Sequence, residues 1–196
     1  MKTTGAGINL KLGMIYRFTD WFRLGAAFHT PTFYSLSDEY ESTLISESKT
    51  GERISQTTPF GAFDYHVITP YRFITSASVV VGQYGVINGD YEIVVYAAAR
   101  FRENNAFPVG EGFTLENQNI RNNFQLTQNF RIGTEWRLDP FRLRAGYRYQ
   151  GNPIRDEFEA DQSASIYSAG LGIKEDEYYF DVCLLYTSDA ADEGHC

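Results

Sequence analysis

The sequence predicts an all-β protein: an antiparallel, up-and-down transmembrane β-barrel, incomplete, with seven full strands and part of an eighth from a larger barrel. Three observations predict it. Apolar and polar residues alternate with period two over most of the chain. The connections between the alternating segments run short, long, short, long to the end, the asymmetry of a barrel with tight periplasmic turns and long outer loops. Aromatic residues stand at both ends of the apolar stripes, where rings in a membrane barrel meet the two interfaces.

Each predicted strand follows from its alternation. Ile8, Leu10, Leu12, Met14, Tyr16 and Phe18 alternate with Asn9, Lys11, Gly13 and Arg17, and a Thr19-Asp20 turn leads to Phe22, Leu24, Ala26 and Phe28. A long polar connection is expected from about Ser35 to Asp64. The third strand carries Tyr71, Phe73, Thr75, Ala77, Val79 and Val81 on one face and turns at Gln83-Tyr84-Gly85 into a fourth, with Ile87, Tyr91, Ile93 and Val95 against Asn88, Asp90 and Glu92. Another long connection is expected from about Glu103 to Ile120. Next comes the clearest hairpin, Phe130 to Gln150, folded at Asp139-Pro140. Phe130, Ile132, Thr134, Trp136 and Leu138 share one face, and Arg131, Gly133, Glu135 and Arg137 the other. Its second strand repeats this with Phe141, Leu143, Ala145, Tyr147 and Tyr149 against Arg142, Arg144, Gly146 and Arg148. A third long loop spans about Gly151 to Ala164; a strand through Tyr167, Ala169, Leu171 and Ile173 then ends at Glu175-Asp176-Glu177, and the eighth begins at Tyr178.

Alternation alone does not say which face is inside. A small soluble barrel or sandwich fills its interior with the apolar face, and a membrane barrel inverts the order. Loop asymmetry and the two sets of aromatics favour the apolar face outside, toward lipid, and the charged face toward a wet lumen. On that reading Asp90, Glu92, Arg131, Glu135, Arg144 and Arg148 are the candidate lumen-facing, substrate-path residues. No long apolar run suggests a membrane-spanning helix, since the longest greasy stretch is Ile93 to Ala99. Met1-Lys2-Thr3-Thr4 runs straight into a strand without an apolar leader core, so a leader is expected to have been removed or to lie outside this stretch.

The formal charge of -8 and pI near 4.9 argue against a nucleic-acid partner, which would demand a basic footprint. Enzymatic chemistry has no visible foothold. There is no phosphate loop, dinucleotide turn, HExxH, CxxC or GxSxG elbow, and His29 and His66 stand alone as polar or interfacial residues. No catalytic residue, metal or cofactor is expected.

The words FRIGTEWRLDPFRLRAGYRYQGNPI, SIYSAGLGIKEDEYYFDV and ITPYRFITSASVVVGQYGVINGDYEIVVYAAARF resemble hairpins of the FadL/OmpP1/TodX outer-membrane transporters of long-chain fatty acids and aromatic hydrocarbons. LKLGMIYRFTDWFRLGAAFHTPTFY is similar to their Bacteroidetes-type members. The resemblance covers about Gly7 to Val182. It implies a larger barrel with an N-terminal hatch, of which this chain holds the C-terminal half, and passive transport of a hydrophobic small molecule across the outer membrane of a Gram-negative bacterium. It implies outer-membrane lipid and that ligand as partners, no nucleic acid, and a monomer. The alternative is a non-transporting outer-membrane barrel, an adhesin or structural porin-like protein. CLLYTSDAADE, from Cys183, resembles a translated sequencing adapter, so residues 1–182 are expected to be the partial barrel and 183–196 a non-native tail.

Overall fold

The computed structural model describes residues 1–47, 53–103, 112–155, 157, 161–175 and 177–189. The fold is all-β and antiparallel, built on one eight-stranded sheet. In chain order the strands of this wall are β2 (Lys11–Arg17), β3 (Phe22–His29), β8 (Arg72–Val81), β9 (Gly85–Val95), β11 (Leu126–Leu138), β12 (Phe141–Gln150), β13 (Ala164–Lys174) and β14 (Tyr179–Asp189). They lie in the spatial order β14-β13-β12-β11-β9-β8-β3-β2, a meander in which chain neighbours within the wall pair side by side.

Short turns close one end of the wall. Phe18 and Thr19 both donate backbone N–H groups to the Phe22 carbonyl. Gly82, at a φ of 56°, makes the β8–β9 turn, a backbone conformation that glycine adopts without a Cβ clash. Pro140 closes β11–β12, and its carbonyl accepts from Lys174 of β13, tying adjacent turns together.

At the other end the long polar connection carries strands of its own. Residues 35–64 continue as β4 (Phe33–Tyr40), β5 (Thr43–Glu47), β6 (Arg53–Thr57) and β7 (Gly61–Ile68). With β1 (Lys2–Ile8) and β10 (Arg100–Glu103), β4 and β7 form a second, four-stranded sheet in the order β1-β4-β7-β10. This order repeats that of β2, β3, β8 and β9, so four wall strands continue beyond the wall and resume pairing after a common break. Among the described residues β5 and β6 pair only with each other.

The break has a visible chemical cause. Pro31 and Pro70 lack N–H groups and interrupt the ladder. Threonines repair it: the Thr30 hydroxyl accepts from Leu10 N–H at 2.9 Å while Leu10 O accepts from Thr30 N–H, and the Thr69 hydroxyl accepts from Thr32 N–H at 2.8 Å while Thr32 O accepts from Thr69 N–H. The fourth strand breaks at a single 3-10 turn, Tyr96–Ala98.

A helix, α1 (Thr114–Asn123), occupies part of the long connection expected between Glu103 and Ile120; residues 104–111 lie outside the described residues. Asn117 docks it. Its amide accepts from Phe101 N–H at 2.8 Å and donates to Phe101 O at 2.9 Å, taking the place of a neighbouring strand along the edge of β10. Phe113, Phe101, Tyr65 and Phe63 form a ring cluster beside it, with Phe101 and Phe113 stacked at 5.3 Å. Arg155 donates to the carbonyls of Asn123, Phe124 and Arg121, capping the far end of α1.

Strand β14 pairs with β13 from Tyr179 to Asp189, so the expected boundary at Val182 falls inside a continuous strand; residues 190–196, with Cys196 and His195, lie outside the described residues.

Candidate functional site

Cross-strand register sorts the wall into two chemically distinct faces, because residues paired across strands share a face. Ile132 stands in a row with Tyr147, Tyr167 and Tyr186 on one side, and Gly89, Ala77, Leu24 and Tyr16 on the other. Along all eight strands this face holds no charged residue. It is also the open face: Ile132 is 52% exposed, Leu143 43% and Leu171 47%. A soluble single-layer sheet would not leave so large an apolar surface uncovered.

Rings pair along both margins of this face. Tyr16 and Phe18 meet edge to face at 4.6 Å by the β2–β3 turn, and Phe28 and Phe73 lie 4.7 Å apart at the other end. Tyr179, at the start of β14, sits on the opposite face with its hydroxyl on Asp181 and Arg144. Phe33 and Phe101 belong to the second sheet. A shallow hollow of about 750 Å³ crosses the apolar face where Ala26, Ala77 and Gly89 leave the surface low between Tyr16, Tyr91 and Phe130.

The opposite face carries the charge, and on the central strands β9 and β11 it is the enclosed one. Its side chains shield one another as they would on the inward side of a curved sheet: Glu92 is 5% exposed, and Thr127 and Asn129 beside it are buried. All six candidate residues lie here, and four of them, Glu92, Arg131, Glu135 and Arg144, fall in two clusters. In the first, Glu92 accepts from Arg131 at 3.2 Å and from Asn129 at 3.2 Å, with Arg72 at 3.6 Å. In the second, Glu135 accepts from Arg144 at 2.9 Å and Arg137 at 3.2 Å, with Arg142 at 3.6 Å; Arg144 also reaches Asp181. A carboxylate shared among several guanidinium groups keeps its oxygens saturated with charge-assisted donors.

Not every candidate is drawn in. Asp90 and Arg148 form no ion pair among the described residues, although Asp90 stands opposite Arg131 and Arg131 opposite Arg148. Arg72, Asn129, Arg137, Arg142 and Asp181 complete the clusters and were not among the sequence candidates. The signal for them was parity: each shares the alternation of a charged face, and only the register shows which ones meet. Between the clusters the floor is glycine. Gly133 faces Gly146, with Asn88 and Ser168 flanking them, and a hollow of about 390 Å³ lies over this row. A Cβ at Gly146 would stand 2.7 Å from Ser168 Oγ.

His29 lies between Lys11 and Arg72 on the charged face, and His66 lies on β7 in the second sheet. Among the described residues no three His, Cys, Asp or Glu side chains group as metal ligands, and no helix is long and apolar enough to cross a membrane.

No family model and no curated protein matches the sequence. Among solved structures, the chain is similar to one described as the CymD monoaromatic hydrocarbon channel, with a TM-score of 0.56 and 15% identity over 92% of this chain. The match spans 46% of that structure, so this chain corresponds to about half of it. The likeness is one of fold, and it agrees with the meander and the two-faced wall.

Proposed function

We propose that this chain is part of the wall of a FadL-type outer-membrane channel that passes hydrophobic small molecules, long-chain fatty acids or aromatic hydrocarbons, without enzymatic chemistry. One observation carries the reading: the uncharged face is the open one and the charged face the enclosed one. That is the inverse of a soluble β-protein and the arrangement a bilayer requires. The resemblance of its hairpins to that family supports it, and so does the likeness in fold to a hydrocarbon channel.

In this mechanism the wall separates lipid from a hydrated lumen and supplies no energy. The ligand moves down its gradient, and the protein contributes burial and a few polar contacts. Outer-membrane lipid lies against Ile132, Leu143 and Leu171, while the Glu92 and Glu135 clusters stiffen the lumen side. The protein acts as a monomer in the outer membrane of a Gram-negative cell, without cofactor or nucleic acid.

Two measurements test this. The protein should partition into detergent, and cells expressing it within its complete gene should take up labelled hydrocarbon or fatty acid faster than cells without it. Detergent partition without uptake would select the non-transporting barrel; recovery of a monodisperse protein from water without detergent would overturn both.

A further inference from the structure

We infer that the charged face holds a site for a small oxyanion between Arg131 and Arg148, over the floor made by Gly133 and Gly146. The inference rests on the reading of this face as the hydrated side of the wall, and it adds a hydrophilic ligand that the transport of hydrophobic molecules does not call for.

Register places Arg131 and Arg148 directly opposite each other on β11 and β12, with both side chains on the charged face. Like charges in that position repel unless something neutralises them. The neighbouring carboxylates neutralise Arg131 but not Arg148. Glu92 is committed to Arg131, Arg72 and Asn129. Asp90 lies beyond Arg131 on β9, two strands and thus about 10 Å from Arg148 across the sheet. Among the described residues Arg148 is left with no ion pair, and its Nε is buried without a hydrogen-bond partner. A buried donor with no acceptor carries its full desolvation cost, which a bound oxygen would remove.

The surroundings favour the same kind of ligand. Strands β2, β3 and β8 add Lys11, Arg17, Arg23 and Arg72 to this face and no carboxylate. Toward the turns, Arg137, Arg142 and Arg144 outnumber Glu135 and Asp181. A chain whose formal charge is -8 thus presents a cationic lumen wall, its acids lying mostly outside the wall strands. Such a wall concentrates anions. Arginine forks match carboxylate and phosphate oxygens; the hollow over the glycine floor, lined by Asn88, Ser168, Arg144, Glu135 and Asp181, adjoins the two arginines on the turn side. The rings Phe130, Tyr147, Tyr149 and Tyr167 all point to the other face, so the site offers charge without an apolar pocket and fits a compact hydrated oxyanion.

The test follows the arginine Nε–H resonances of the detergent-folded protein during titration with inorganic phosphate and, separately, acetate, at constant ionic strength. Sodium chloride serves as the screening control. The Arg148 signal is expected to move saturably with at least one oxyanion and not with chloride; the stronger of the two assigns a tetrahedral or a planar ligand. Arg148→Gln, followed at Arg131, should weaken binding by about tenfold or more. Asp90→Asn, which removes a competing charge, should tighten it. A linear response shared by all three salts would overturn the inference, as would unchanged affinity in a folded Arg148→Gln protein. Hydrocarbon uptake is measured separately, in cells carrying the unaltered protein, so failure of the transport reading and absence of the anion site are told apart.

Discussion

At the scale of single residues, the two faces of the wall predict opposite responses to the same chemistry. Ile132 points to the open apolar face near the middle of β11. Arginine there should cost about 2–4 kcal/mol if that face meets the bilayer midplane. Ser78→Arg, on the charged face of β8, should cost well under half as much, because its head stays hydrated. Refolding equilibria in lipid vesicles would compare them, and equal costs would contradict the sidedness of the wall. The ion pairs should also differ among themselves. Glu92 is buried under two arginines and an asparagine, so Glu92→Gln should cost about 1–3 kcal/mol by leaving those donors under-satisfied. Arg17 pairs with Asp20 at an exposed turn, where an ion pair is worth about 0–1 kcal/mol, and Arg17→Ala should be nearly silent in the same assay.

At the scale of elements, the common break between wall and second sheet depends on threonine hydroxyls replacing what proline removes. Thr69→Val keeps shape and loses the acceptor for Thr32 N–H, so it should cost about 1 kcal/mol. Its signature would be faster hydrogen exchange at the Thr32 amide while the Ala27 amide, within β3, stays protected. Asn117→Leu tests the docking of α1: the Phe101 amide should lose protection and α1 its position, with the wall strands unchanged. These are also the places where the sequence was least legible. The wall strands could be read because one face is apolar throughout, which makes period two visible. In β4 and β7 both faces are mixed: Ser35, Ser37 and Asp38 stand among Tyr34 and Leu36, so YSLSDEY reads as a loop although backbone pairing makes it a strand. The helix TLENQNIRNN has four asparagines and little apolar periodicity, and its docking rests on one side-chain amide placed by tertiary structure. For the charged clusters, alternation identified the face. It could not identify the partners, because Arg131 lies opposite Asp90 yet bonds Glu92, a choice set by side-chain reach and not by register.

At the scale of the whole molecule, the decisive feature is that the wall has edges. Strands β2 and β14 each pair on one side only, leaving a row of backbone donors and acceptors without a strand partner in this sheet. Within hydrocarbon each such group costs several kcal/mol, which is why membrane β-structure closes on itself. If the wall lies in a bilayer as proposed, its edges call for pairing with further strands, and the similar channel is about twice as long as the part this chain matches. This makes a graded prediction for the chain held in detergent by itself. Amides of β9 and β11, paired on both sides near the centre of the sheet, should exchange slowest. Protection should fall outward in both directions, and the N–H groups of β2 that face away from β3 should exchange almost at once. Adding the strands that complete the barrel should protect those outward amides and leave the centre unchanged. Outward amides of β2 and β14 that are already protected in a monomer would mean instead that the two edges meet, and that eight strands alone suffice to close the wall.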